Sequence, residues 1–190
     1  IGLIYIFQNG AAMIWTDEWQ SVKSPYDGIT LPVGSLSVPL DYILIIIFTT
    51  AIICGLYLLL KKTTIGMQMR ATSQNRKGAM LVGIDVERID VISFGLGCAL
   101  AAAAGTLWIV SGQIFNPYMG SIPAIKAFAI IILGGLGSIP GAIIGGLLMG
   151  LAENGAAFFL GGIWKDAISF VILIIVLVVR PTGLFGEKGD

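Results

Sequence analysis

Apolar residues in this chain come in long blocks separated by polar stretches. Tyr42–Leu60 runs without a charge and, at 1.5 Å per residue, gives roughly 28 Å of helix, close to the hydrocarbon thickness of a bilayer. Lys61 and Lys62 stop it. Val91–Phe115 is a second block of this kind, ended by Asn116-Pro117-Tyr118-Met119-Gly120. Residues 127–160 are apolar throughout, yet as one helix they would measure roughly 50 Å, far more than a bilayer needs. The stretch must therefore break, and Gly134-Gly135-Leu136-Gly137-Ser138-Ile139-Pro140-Gly141 is a run that no continuous helix would choose. The pattern predicts a short, broken segment over 127–137, a helix over 141–160 and a last span over 165–179 stopped by Arg180-Pro181. The opening block, Ile1–Ile14, is short for a crossing and reads as the end of an earlier span in a longer protein. Residues 16–41, with Trp19 and three prolines at 25, 32 and 39, read as a loop outside the membrane.

Composition agrees with lipid as the solvent: 56% of residues are hydrophobic and 12% charged, with mean hydropathy +0.93. Lys and Arg balance Asp and Glu at 11 each, so no global field draws the chain to nucleic acid. Histidine is absent, which removes Ser-His catalysis and His-ligated metal sites. Cys54 and Cys98 fall inside predicted helices without metal-ligand spacing and read as small packing residues. No nucleophile–base pair and no G-x-x-x-x-G-K-[ST] phosphate loop is visible, so neither an enzyme nor a cofactor site is expected.

What charge there is concentrates in residues 61–90, which hold Lys61, Lys62, Arg70, Arg76, Lys77 and Arg88. By the positive-inside rule this loop faces the cytoplasm. If the tail after residue 179 is cytoplasmic too, an even number of crossings separates them, which the break in 127–160 supplies. Within the loop, Gly66–Ile84 is helix-compatible, with Gly83 as the residue after its C-cap and Asp85 capping the next helix. Helical spacing places Ala71, Asn75, Gly78 and Val82 on one face with Ala79 beside them. A smooth face rimmed by Arg70, Arg76 and Lys77 suits a groove on another protein; a solvated loop is the alternative.

Gly141-x-x-x-Gly145 and Gly146-x-x-x-Gly150 are two small-xxx-small repeats, a device for close helix packing. Lys126 and Glu153 interrupt apolar sequence, and ionisable groups at membrane depth are costly unless paired or wetted. Glu153 can pair with Lys126 or Lys165, or sit near the headgroups. Asp166, beside Lys165 and Trp164, reads as an interfacial anchor.

Four stretches in order, RATSQNRKGAMLVGIDVERI, NPYMG, KAFAIIILGGLGSIPGAIIGGLLMGLAE and WKDAISFVILIIVLVVRPTGLFG, together resemble the permease subunits of ABC importers for branched-chain amino acids, of the smaller-paralogue type. The resemblance covers essentially all of residues 1–190 and corresponds to about the C-terminal two-thirds of such a permease. It implies an all-α, polytopic helical bundle in the bacterial inner membrane, with a broken segment and a cytosolic coupling helix. It also implies partners: ATP-hydrolysing cytosolic subunits, a second, paralogous permease and a periplasmic substrate-binding protein. The coupling loop would be carried by Ala71, Gly78, Gly83 and Ile84, to which the helical face above adds Arg70, Asn75 and Ala79. The family's LGG-x-GS-x-x-G block matches Leu133, Gly134, Gly135, Gly137, Ser138 and Gly141, of which the last five would line the translocation path. The SQNR and VERIDVISFGLG runs are also similar to the related urea permeases. An ion-coupled carrier or channel, using Glu153 and the break at 134–141, is the competing class.

Overall fold

The computed structural model describes residues 2–23, 26, 28–33, 36–112, 114–135, 137–179 and 183. Helices dominate them, in two units treated separately: residues 17–116, and residues 1–16 together with 117–190.

In the first unit, β1 (Thr30–Val33) and β2 (Leu36–Pro39) form an antiparallel hairpin that pairs Leu31 with Val38 and Pro32 with Ser37. The prolines led the sequence reading to a plain loop over 16–41. A two-stranded ribbon, both of whose strands are edges, tolerates them. The hairpin leads directly into α2 (Leu40–Lys62), which is apolar on all sides and carries Asp41 in its first turn and Lys61 and Lys62 in its last, complementing the helix dipole. α3 (Thr64–Gln74) and α4 (Arg76–Leu81) follow, then α5 (Val86–Val110). α5 ends at Val110, five residues before the expected 115. Ser111 caps it, Gly112 turns at φ 79°, and Phe115 has already entered an isolated bridge in which it and Gln20 exchange backbone hydrogen bonds of 2.9 Å.

In the second unit, α1 (Gly2–Trp15) is joined to residue 118 by a hydrogen bond of 3.2 Å from the Tyr118 hydroxyl to Asn9 Oδ1. α6 (Ser121–Gly134), α7 (Ile139–Leu160) and α8 (Trp164–Val179) pack together. α6 begins six residues before the expected 127, because the sequence around Lys126 is helical in spite of its charge. Ala129 and Leu133 of α6 and Met149 of α7 are among the unit's few buried residues.

α2, α5 and α7 are each long and apolar enough to cross a membrane; α6 is apolar but shorter. Their large exposed residues, Phe48, Phe94 and Leu151 among them, would be untenable in water over so wide an area and suit lipid or neighbouring helices. The fold is that of an all-α polytopic membrane protein. The Arg180-Pro181 stop lies outside the described residues.

Candidate functional site

The loop between α2 and α5 is a capped elbow. Thr63 makes its first joint: its hydroxyl donates to the Leu59 carbonyl at 2.6 Å and accepts from the Gly66 amide at 3.1 Å, so one side chain closes α2 and opens α3. Gly66 is obligatory there, since a Cβ would stand 2.4 Å from the carbonyl oxygens of Leu59 and Leu60. The second joint is Asn75, whose amide donates to Ala71 O at 3.0 Å while its Oδ1 accepts from Gly78 N at 2.8 Å. Its backbone is extended, at φ −150° and ψ 96°.

The single helix expected over 66–84 is therefore two helices. Asn is a poor interior residue and a good cap, because its side chain competes for backbone amides. The face drawn through Ala71, Asn75, Gly78 and Val82 is interrupted at Asn75, and Ala79 is buried at the foot of α4. Arg70 and Gly83 are exposed, while Ala71, Gly78 and Ile84 are half-buried. What α4 presents outward is an apolar tip of Met80, Leu81 and Val82, with Leu81 88% exposed. Of these three the helical-face pattern included Val82 but not Met80 or Leu81; an apolar triplet within a charged loop was the available signal.

The end of α4 matches the sequence expectation closely. Gly83 adopts φ 83°, its amide bonds Met80 O at 3.1 Å, and the Ile84 amide bonds Ala79 O at 3.0 Å, the paired bonds of a Schellman motif. Asp85 Oδ1 then accepts from Arg88 N at 3.1 Å and starts α5. An ion pair between Arg76 and Asp90 clips the elbow to α5.

The glycine break is a close-packed helical hairpin. Gly135 (φ 96°) ends α6 and Gly137 (φ 85°) turns the chain, both in a region that favours glycine. Ser138 accepts from the Gly141 amide at 3.1 Å to start α7, with Pro140 in the first turn where its missing N–H costs nothing. A Cβ on Gly134 would meet Gly141 backbone at 2.4 Å, and one on Gly145 would meet Ile130 O at 3.0 Å. Gly134, Gly135 and Gly141 are buried, Ser138 is half-buried and Gly137 is exposed. Gly183, well beyond α8, returns to lie on this break: a Cβ there would stand 2.5 Å from Gly135 N and Ile132 O.

At the other end of the same three helices the charges converge. Lys126 Nζ lies 3.0 Å from Glu153 Oε1 and 2.8 Å from Asp166 Oδ1, with side-chain exposures of 13% for Lys126, 10% for Glu153 and 51% for Asp166. Ser169, buried in α8, donates its hydroxyl to the same Glu153 oxygen. Glu153 thus pairs with Lys126 and not Lys165. Asp166, expected as an interfacial anchor, belongs to this network, which joins Lys126 of α6, Glu153 of α7, and Asp166 and Ser169 of α8. Sequence reasoning missed Ser169 altogether, since a serine three residues after an aspartate in an apolar helix carries no distinctive pattern.

The family described as the branched-chain amino acid transport system permease component matches residues 1–177. The chain belongs to this family. Similar permeases include the high-affinity branched-chain amino acid transport system permease protein LivH of Escherichia coli K12, 40% identical over 98% of this chain and 62% of that protein. BraD of Pseudomonas aeruginosa, bearing the same description, is 42% identical over 98% of the chain and 62% of its own length. A probable LivH permease of Methanocaldococcus jannaschii is 37% identical over 71% of the chain and 45% of that protein. The chain thus spans about three-fifths of the length of the bacterial permeases it matches. No solved structure matches it. Membership in this permease family makes the molecule a multi-pass membrane protein.

Proposed function

We propose that this chain is the translocating part of an ABC importer permease that carries branched-chain amino acids across the bacterial inner membrane, energised by a separate ATPase. The α3–α4 elbow carries the reading. It is short and capped at both joints by Thr63 and Asn75, a geometry suited to passing a push to the helices on either side; the exposed Arg76–Asp90 pair adds little to this. Its basic residues favour the cytoplasmic face. The ATPase docks on the outward side of the elbow, around Arg70, Ala71, Asn75, Gly78, Gly83 and Ile84, and the exposed Met80, Leu81 and Val82 enter an apolar groove.

In this reading residues 16–41 lie on the extracytoplasmic side. There a periplasmic binding protein delivers solute, and a second, paralogous permease completes the path. The hairpin of Gly134, Gly135, Gly137, Ser138 and Gly141 borders the translocation path, where non-helical backbone is tolerated because protein or water satisfies it. The paired state of Glu153 weighs against an ion pathway through that carboxylate.

The test is uptake with the complete importer in sealed vesicles, with leucine, valine, other amino acids and urea as competitors. ATP-dependent uptake that leucine and valine suppress is the expected result. Uptake driven by an ion gradient without ATP would refute the proposal, and suppression by urea alone would reassign the solute.

A further inference from the structure

Lys126 faces two carboxylates that differ in one decisive respect. Glu153 is almost wholly buried and also holds the Ser169 hydroxyl, so separating it from Lys126 would strand a charge in a dry site. Asp166 is half exposed, and a pair of that kind contributes little because water replaces it readily. The surroundings are asymmetric in the same sense. Just before α8, Gly161 turns the chain at φ 97°, a Cβ built at it or at Gly162 would meet open space, and the corner is closed by short-range backbone bonds from Trp164 N to Gly161 O at 3.1 Å and from Lys165 N to Gly162 O at 3.2 Å. Ser169, one turn beyond Asp166, is anchored in the core. At the far end of these helices, Gly134 and Gly141 lock α6 to α7 backbone to backbone.

We infer that Lys126 is a positioning residue for transport: its pair with Asp166 is a latch that holds the first turn of α8 on α6 and opens between access states, while Lys126–Glu153–Ser169 stays closed as the pivot. The latch rests on the permease reading above and adds the step by which one end of the three-helix group loosens while the other stays packed. Lys126 touches no solute in this scheme. It sets where the start of α8 sits.

The test uses the complete importer in proteoliposomes, with its ATPase and binding subunits, cysteines removed and Ala129→Cys as reporter. Ala129 lies one turn along α6 from Lys126 and is 2% exposed. The readout is its rate of modification by a water-soluble thiol reagent without ATP. Asp166→Asn should raise the rate about fivefold, the scale of a half-exposed ion pair, and Asp166→Glu should restore slow labelling. Lys126→Arg should also label slowly. Wild-type labelling and wild-type uptake in Asp166→Asn would overturn the latch, as would failure of Asp166→Glu to reverse the effect. If Asp166→Asn fails to insert, Asp166→Ser replaces it; if both fail, the pair is a folding element and the latch is wrong. ATP-driven uptake by the unsubstituted complex reports separately on the permease reading.

Discussion

A Cβ on Gly141 would stand 2.1 Å from the carbonyl oxygen of Gly134, so α6 and α7 meet there with no side chain between them. In lipid, where apolar side chains gain nothing by leaving the solvent, such backbone approach is a main source of helix association. Every atom added at this point must be accommodated by moving a helix.

Gly141→Leu should therefore disrupt the hairpin at a cost of about 3 kcal/mol, the upper range for overpacking. Gly137→Ala, in open space at φ 85°, should cost only the roughly 1–2 kcal/mol of left-handed backbone strain. Thermal unfolding of the detergent-solubilised importer would rank the two, and an equal loss for both would remove close packing as the explanation.

The ion network predicts a different ranking. Glu153→Ala leaves Lys126 and Ser169 without their buried acceptor and should destabilise the protein by about 3–5 kcal/mol. Asp166→Ala should cost under about 1 kcal/mol, because its side chain is already half in solvent. The same unfolding assay decides the order; Asp166 as the more damaging site would mean that the cluster is centred elsewhere.

Asn75→Ala removes the cap that separates α3 from α4 and should cost about 1 kcal/mol locally. Alanine would let the two helices merge, so transport per ATP hydrolysed should fall while membrane insertion is kept. Unchanged coupling in vesicles would show that the elbow's bend is incidental.

Docking is tested by Leu81→Asp and Gly78→Arg, one charging the exposed tip and the other crowding Asn75 across a gap where even a Cβ would be 3.1 Å from its side chain. Both should abolish co-purification with the ATPase without loss of the permease from membranes. Retained complex in both variants would exclude this surface as the docking site.

Sidedness has its own check. Gln74→Cys should react with an impermeant thiol reagent only from the cytoplasmic face. Labelling from the outside would invert the arrangement proposed for the loop.

Long apolar blocks made α2, α5 and α7 legible, because an uncharged run of bilayer length has few alternatives. The break at 134–141 and the turns at Gly83 and Asp85 were legible for a local reason: glycine, proline and capping residues act within four positions of themselves. Helix identity inside residues 61–90 was harder. Asn75 is compatible with a helical face by spacing, and only the bond from its side chain to Gly78 N makes it a cap. Long-range relations were legible only where buried charge demands a partner, as for Glu153, whose pairing with Lys126 was one of two expected. Nothing local joins Asp166 to Lys126 or brings Gly183 onto Gly135, since each depends on how separate helices pack.

Thr63 has a mechanical corollary. Because its hydroxyl serves the last turn of α2 and the first turn of α3 at once, with Gly66 pressed on the same carbonyls, there is no slack between them. In the proposed importer a displacement of the elbow would be delivered to α2 as torque rather than absorbed by a stretching linker. One residue inserted after Thr63 would act as a slipped gear, leaving both shafts whole and the drive lost.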